Sequence, residues 1–377
     1  MKKIVLACAL LSVIFLPLSA QDSTKTKEEA FTFEASYIGD NINNLSGGIK
    51  RGSSYLGMAN LRVLFDTQNA GLWKGGSFYL NAANTHGATP SADMLGDVQV
   101  VSNIDAGDHT YVQELWFKQT IGRVDLIAGL QDLNVEFANT ENGAVFMNSS
   151  FGIMPLISAN IAAPIFPLTS LGLTVKWNMN ENITWLNALY DGDPTDFEHN
   201  PHNLTWGFHT ADGILAISEL QYNMTIKELP GTYKLGAFSH SHFIDQDIPD
   251  SLNHTIFSFY SIVDQKVWQQ GTKSLGVFAQ LGYSPSKVST TDVYIGGGMN
   301  YNGLLRKEGD DVLGLAFAYN HFNEIPDHET TIELTYYYPL TNHIFIQPDF
   351  QYIIHPAATG GNLDNCLTAN LRFGITF

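Results

Sequence analysis

The chain has 377 residues, 19 of them basic and 37 acidic, and its formal net charge is −18 at pH 7. This composition argues against nucleic acid as a partner, because phosphate binding needs clusters of basic residues. Of the two cysteines, Cys8 lies within the first 20 residues, which are predicted to be removed on export, and Cys366 lies near the C-terminus. We therefore expect no disulfide within the mature chain.

Residues 1–20 have the features of a secretory signal peptide. Two lysines precede an apolar run from Ile4 to Leu16, and small residues follow at Ser19 and Ala20. A lipoprotein signal cut before Cys8 is the alternative, but it would leave only four apolar residues before the cut. The sequence thus predicts export from the cytoplasm, with a mature chain that starts near Gln21 and a polar periplasmic tail over 21–30.

No later segment has the pattern of a membrane-spanning helix. The longest uncharged stretch, Asn142–Val175, contains Pro155, Pro164 and Pro167, which would break a helix repeatedly. The chain has 33 glycines and 12 % aromatic residues, and it shows no long helical period. We therefore expect an all-β fold.

Sixteen strands are predicted from residue 31 onward, and the connections between them are alternately short and long. In chain order the strands are Phe31–Ile38, Tyr55–Asp66, Ser77–Asn84, Thr110–Thr120, Val124–Gln131, Gly172–Asn178, Ile183–Asp191, Gly213–Tyr222, Thr232–Ser241, His254–Trp268, Ser274–Tyr283, Thr291–Tyr301, Val312–Phe322, Glu329–Tyr338, His343–His355 and Asn365–Phe377.

Each of the last strands alternates apolar and polar residues, as Leu371 and Phe373 do with Asn370 and Arg372. The alternation alone fits a soluble sandwich with an apolar core as well as a membrane barrel whose apolar face meets lipid. The even strand number and the alternating loop lengths favour the barrel, since closure also removes exposed sheet edges. We predict a transmembrane antiparallel up-and-down β-barrel of 16 strands. It forms a single domain over residues 31–377, with long outer loops and short periplasmic turns.

Several segments resemble the OprB-type carbohydrate-selective porins of the bacterial outer membrane. The most specific is TIELTYYYPLTNHIFIQPDFQYIIHP (331–356), followed by the final LRFGITF, and further matches are MNSSFG (147–152), YDGDP (190–194) and DQKVW (264–268). The resemblance covers most of residues 55–377. The sequence departs from the family after Pro356, where Ala357, Ala358 and Thr359 stand before Gly360 and Gly361.

The resemblance implies an outer-membrane barrel through which carbohydrates diffuse down their concentration gradient. Its partners would be mono- or oligosaccharides and outer-membrane lipids. The C-terminal strand with its final Phe377 would in addition contact the barrel assembly machinery. No cofactor and no nucleic acid are expected. A general porin without sugar selectivity is the alternative, and a barrel lipid hydrolase or a secreted sugar-binding β-sandwich is a more distant one.

The alternation of each strand predicts which residues line the lumen. Charged and amide groups can replace the hydration of sugar hydroxyls, and aromatic faces can stack on a sugar ring. Glu114, Trp116 and Lys118 are the preferred candidates because they share one face of one strand. The alternative for each residue is an ordinary polar interior. The candidates are Arg62, Glu114, Trp116, Lys118, Arg123, Asp125, Glu219, Glu333, Gln347, Asp349 and Arg372.

Residues 142–175 are the predicted constriction or lumen-folded segment, since non-helical backbone at membrane depth must be buried in protein or line water. Phe146, Phe151 and Phe166 could stack on a solute there. The alternative is a loop that packs on the inner wall and only rigidifies the barrel.

The sequence predicts neither an enzyme nor a metal site. His240 and His242 share a strand face, and Asp191, Asp193 and Asp196 cluster in a loop, but neither group is a complete ligand set. No hydrolase or nucleotide-binding signature is present.

Overall fold

The computed structural model describes residues 29–208, 213–242, 254–323, 328–357 and 362–377. The predicted signal peptide (1–20) lies outside the described residues. So do residues 21–28 of the predicted tail and positions 358–361, where the sequence departs from the family pattern.

Sixteen antiparallel strands in the described part of the chain close into one barrel, each strand pairing with its neighbours in sequence and β1 pairing with β16. They are β1 Phe31–Ser46, β2 Gly52–Asp66, β3 Gly76–Gly87, β4 His109–Ile121, β5 Val124–Gln131, β6 Ser170–Asn178, β7 Ile183–Asp191, β8 Ile214–Ile226, β9 Leu229–His242, β10 His254–Gln270, β11 Lys273–Tyr283, β12 Thr291–Asn302, β13 Val312–Phe322, β14 His328–Pro339, β15 Ile344–Ile354 and β16 Cys366–Thr376.

All sixteen predicted strands are confirmed, although some ends differ. The largest difference is in β1, which continues to Ser46 rather than ending at Ile38. Residues 39–46 are mostly polar and give no apolar alternation, but the barrel pairs them with β2 on one side and β16 on the other. Backbone hydrogen bonds to two neighbouring strands thus extend β1 beyond Ile38, where the alternation of apolar and polar side chains ends.

The burial pattern is inverted relative to a soluble protein. On β16, Leu367 and Leu371 are exposed outward, whereas Thr368, Asn370 and Arg372 point inward and are buried. On β14 the same holds for Ile332 and Leu334 against Thr331, Glu333 and Thr335. An apolar outer belt with a polar interior is the arrangement of a barrel in lipid.

Connections at the two ends of the barrel differ in length, as predicted. The strands turn tightly at residues 122–123, 227–228 and 271–272, and long loops at the opposite end include residues 88–108 and 132–169. Helical turns within these two loops are short: Ser91–Leu95, α1 Leu133–Glu136, Gly143–Val145, α2 Ser149–Gly152 and α3 Pro155–Ser158. Among the described residues, no helix combines the length and the apolar character required to span a membrane.

A charge placed on the outer belt is expected to destabilise the barrel. Leu371 is 47 % exposed and lies in the middle of β16, so Leu371→Arg should lower the free energy of unfolding in lipid vesicles by roughly 2–4 kcal/mol. Leu367→Arg, nearer the end of the same strand, is the matched control and should cost less. Urea titration of the refolded variants measures both values, and equal costs at the two depths would contradict a lipid-facing belt.

The barrel interior is filled on one side by apolar packing. Leu186, Ile217, Phe238, Ile262 and Phe278, on strands β7 to β11, point inward and are buried against the loop 132–169. A second, smaller cluster joins Met94, Leu95 and Val101 of the loop 88–108 to Ile42 and Ile353 of the wall. The interior is therefore not uniformly polar, because two loops lie inside it and need an apolar face to pack on.

Candidate pore and its lining

Two outer loops fold back into the barrel and determine its free space. We call residues 132–169 the long inner loop and residues 88–108 the short inner loop. Neither forms extended secondary structure, so their backbone amides need acceptors that water would otherwise supply. The wall of the barrel provides those acceptors.

Three acidic side chains of the wall hold the long inner loop by its backbone. The carboxylate of Glu219 accepts the amide of Ala138 at 2.8 Å, and that of Asp264 accepts the amides of Glu141 and Asn142 at 3.2 and 2.9 Å. Further hydrogen bonds to Asp264 come from the Thr140 hydroxyl and the Asn142 side chain.

Glu333 is the third acidic side chain that holds the long inner loop. It is fully buried and accepts the amides of Met147 and Asn148 at 2.6 and 3.0 Å. A carboxylate can accept several N–H groups at once and binds each more strongly than a neutral acceptor does. These inward acidic residues are therefore positioning groups for the loop.

The short inner loop is held by side chains of β1, β14 and β16, which lie on the same stretch of the barrel wall. Arg372 makes two hydrogen bonds of 2.8 Å to Asp40 and donates a third, of 2.7 Å, to Asn103 of the loop. Ser102 donates to Asp40 at 2.6 Å. The carboxylate of Glu329 accepts the amides of the loop residues Val98 and Gln99.

A cavity of about 690 Å³ remains between the two inner loops and the wall from β16 through β1 to β4. Its size lies within the range of small-molecule sites. The wall contributes Glu34, Ile38, Met58, Asn60, Arg62, Tyr79, Asn81, Gln113, Glu114 and Arg372, and the inner loops contribute Asn103, Ile104, Asp132, Asn134, Val135, Ala144, Ser149, Gly152, Ile153, Ile165 and Phe166.

Charges at the cavity are partly paired. Arg62 forms a half-exposed ion pair with Glu34, and Arg372 is paired with Asp40. Glu114 accepts a hydrogen bond of 3.2 Å from the indole of Trp116. Asp132 accepts the amides of Asn134 and Phe166, and its burial raises its pKa to about 6. The cavity thus offers both donors and acceptors to a polar solute.

Amide side chains form a row along the same wall. Asn60 donates to Asn81 at 3.0 Å and Asn81 donates to Gln113 at 3.4 Å. Gln113 faces the cavity beside Glu114 because a β-bulge interrupts the register between β3 and β4 at this point. Strict alternation would turn Gln113 outward, so the sequence could not reveal it.

Aromatic rings lie on two sides of the cavity. Tyr79 stacks on Trp116 with ring centroids 4.8 Å apart and planes 23° from parallel. Phe166 reaches the cavity from the long inner loop. Tyr79 was not among the predicted lining residues, although its position in the alternating strand β3 would have allowed that prediction.

The predicted lumen residues fall into three groups. Arg62, Glu114 and Arg372 line the cavity, and Trp116 stacks on the lining residue Tyr79. Four others contact the inner loops or neighbouring strands instead. Of these, Glu219 and Glu333 accept loop amides as described above. Gln347 donates to the Val145 carbonyl at 2.7 Å, and Asp349 accepts from Asn370 at 2.9 Å.

The third group lies toward the tight-turn end of the barrel. Arg123 is exposed and donates to the carbonyl of Met179 in the next turn. Asp125 accepts from Thr120 at 2.6 Å, and Lys118 is partly exposed on the inward face of β4. None of the three lines the cavity.

The three phenylalanines of the predicted constriction are separated by the structure. Phe146 and Phe151 are buried, 5.0 Å apart, and both contact Phe278 of the wall. The structure therefore gives these two rings no surface for a solute, which corrects the expectation that they could stack on one. Their apolar faces pack better on the apolar half of the wall than beside the wet cavity. Only Phe166 borders the cavity.

Within the described ranges, no group of three or more histidine, cysteine, aspartate or glutamate side chains is placed to hold a metal ion. Asp196 contacts His199 in an exposed loop, and the side chain of His242 lies outside the described residues.

Comparison with known proteins identifies a family and several proteins to which this chain is similar. Residues 50–377 match the family model described as "Carbohydrate-selective porin, OprB family". Porin B of Pseudomonas aeruginosa is 23 % identical over 411 residues, covering 94 % of this chain and 89 % of that protein.

Two solved structures of Pseudomonas putida OprB have a similar fold. The high-pH structure superposes with a TM-score of 0.81 at 21 % identity, covering 92 % of this chain and 94 % of the other. The low-pH structure has a TM-score of 0.61 at 19 % identity, with 92 % and 93 % covered.

Proposed function

Because the chain belongs to the OprB family of carbohydrate-selective porins, we propose that sugars cross the barrel through the cavity between the β16–β4 wall and the long inner loop. The protein is an outer-membrane porin for carbohydrates and a channel rather than an enzyme. Transport therefore follows the concentration gradient. The proposal concerns the route that the sugar takes through the barrel and the side chains that contact it.

The cavity lining supports this path. It combines the guanidinium groups of Arg62 and Arg372, the carboxylate of Glu114, and the amides of Asn60 and Asn81. Sugar hydroxyls both donate and accept hydrogen bonds, so a lining of mixed character can replace their hydration. Tyr79 and Phe166 offer ring faces for the apolar side of a pyranose. This convergence of mixed polar groups and aromatic faces on one open space is the observation that carries the proposal.

Planar-bilayer recordings with added glucose and with maltooligosaccharides test the proposal. Sugar bound in the cavity should reduce the ion current in a concentration-dependent way. An ion current that stays unchanged at high sugar concentration would contradict a sugar site in the cavity and would indicate a general porin without sugar selectivity.

The role of Glu114 is tested by Glu114→Gln. Loss of the charged acceptor should weaken sugar-dependent block of the current by about tenfold, because hydrogen bonds to charged groups contribute roughly 1.5–3 kcal/mol. Asp125→Asn is the matched control, since Asp125 accepts from Thr120 and does not line the cavity. Equal weakening by the two variants would exclude a specific contact at Glu114.

Three further expectations from the sequence belong to the same proposal. Residues 1–20 would direct export, the outer belt would contact outer-membrane lipids, and the C-terminal strand would be recognised by the barrel assembly machinery. Phe377, at the end of that strand, is 75 % exposed, which supports its availability to a partner.

A further inference from the structure

Asp97 of the short inner loop is an unusual carboxylate. It is only 4 % exposed, and neither of its carboxylate oxygens has a hydrogen-bond partner among the described residues. Burying a carboxylate without a partner strongly disfavours its ionised form.

The surroundings of Asp97 are acidic. Glu329 of β14 is fully buried and accepts the amides of Val98, Gln99 and Ala357. Asp105 accepts the amide of Ser91 at 3.3 Å. In the described parts of the chain, no lysine or arginine forms an ion pair with Asp97, Asp105 or Glu329.

Glu329 and Asp97 differ in the hydrogen bonds that their carboxyl groups accept. Three amides donate hydrogen bonds to Glu329, and these partly offset the cost of burying its carboxylate. The Ser91 hydroxyl and the backbone amides of Val100 and Val101 lie near Asp97 but only partly offset its burial, and two neighbouring anions repel each other. The arrangement therefore allows one negative charge at this position more readily than two.

We propose that docking of the short inner loop on the barrel wall is linked to protonation of Asp97, so that the loop is held tightly when Asp97 is neutral and is loosened when it ionises. The link does not depend on which solute the channel carries.

The direction of the effect follows from the buried state. Burial raises the pKa of Asp97 from 3.8 to about 6 and that of Asp105 to about 7. A raised carboxyl pKa means that docking is favoured at low pH. The loop then loses stability as the pH rises above 3.8, until the docked groups themselves ionise near pH 6–7. Docking should therefore be weaker at pH 8 than at pH 4.5.

Other titratable groups lie around the loop, and their effects on loop docking must be distinguished from that of Asp97. The ion pair of Asp40 with Arg372 holds the loop from β1 and β16. His328 lies on the outward face of β14, where it stacks with Tyr319. The remaining neighbours are Asp93 on the loop, His355 and Asp364 in the connection before β16, and Cys366 at its start.

Cys366 provides a direct measure of docking. It is fully buried beneath the loop, with its sulfur 3.7 Å from the carbonyl oxygen of Leu95. A thiol reagent should reach it only when the loop opens. The reaction of 4,4′-dithiodipyridine with the refolded barrel in detergent, followed by absorbance, then reports the opening equilibrium. The variant Cys366→Ser lacks this thiol and shows which part of the absorbance change comes from Cys366.

The comparison is made between the wild-type protein and Asp97→Asn at each pH, so that the intrinsic pH dependence of the thiol cancels. The ratio of the wild-type rate to the variant rate should rise by about tenfold or more between pH 4.5 and pH 8. Asp93→Asn changes an exposed carboxylate of the helical turn Ser91–Leu95, just before Asp97 in the same loop, and should keep the wild-type profile. Gel mobility without heating verifies that the barrel stays folded in every sample.

A ratio that does not change with pH would overturn the proposal, as would loss of the wild-type profile in Asp93→Asn. Protection of Cys366 by added calcium at pH 8 would also overturn it, because the acidic cluster would then be a cation site rather than a proton-linked one.

Discussion

Asp264→Ala is expected to raise the single-channel conductance severalfold. The side chain of Asp264 accepts the amides of Glu141 and Asn142 and the hydroxyl of Thr140. Its removal leaves these donors unsatisfied inside the barrel, at a cost of about 1–3 kcal/mol each. The strand pairing of β10 with β9 and β11 does not involve this side chain, so the barrel should survive while this part of the long inner loop detaches.

Detachment widens the passage, because the long inner loop bounds the cavity on one side. Conductance in planar bilayers measures the change, and current noise should rise as the freed segment moves. Asp264→Asn is the conservative partner, since its amide oxygen can still accept part of the hydrogen bonds, and it should lie between wild type and alanine. A conductance for Asp264→Ala equal to that of the wild type would mean that the apolar packing alone holds the loop.

Arg372→Ala is expected to cause a large loss of barrel stability. It leaves Asp40, which is fully buried, as an uncompensated charge, and breaking a buried pair in this way costs about 3–5 kcal/mol. It also removes the hydrogen bond to Asn103 that holds the short inner loop. Urea unfolding in lipid vesicles measures the loss.

Arg62→Ala is the matched control for Arg372→Ala. The pair of Arg62 with Glu34 is considerably exposed, with side-chain exposures of 32 % and 44 %, and such pairs contribute about 0–1 kcal/mol. The double variant Asp40→Asn/Arg372→Met removes both charges and should recover much of the stability lost in Arg372→Ala. If Arg62→Ala and Arg372→Ala destabilise the barrel equally, the buried pair has no special role.

The barrel itself was predictable because its signal is local and repeated. Each strand pairs with its sequence neighbours, so strand order follows chain order, and the alternation of residues such as Leu371 and Arg372 assigns the two faces. The β-bulge at Gln113 shows the limit of this reasoning. A single extra residue reverses the alternation, and no residue type marks it in the sequence.

The amino-acid sequence by itself determined the strand number, the closed antiparallel fold, the inward or outward direction of most side chains and the family to which the chain belongs. Only the tertiary structure decided which inward groups face open space and which hold a loop. Glu114 and Glu333 have the same inward position on their strands, yet one borders the cavity and the other is buried against Met147 and Asn148. The reason is that the folding of residues 88–108 and 132–169 into the lumen depends on contacts between residues far apart in sequence, which no local pattern encodes.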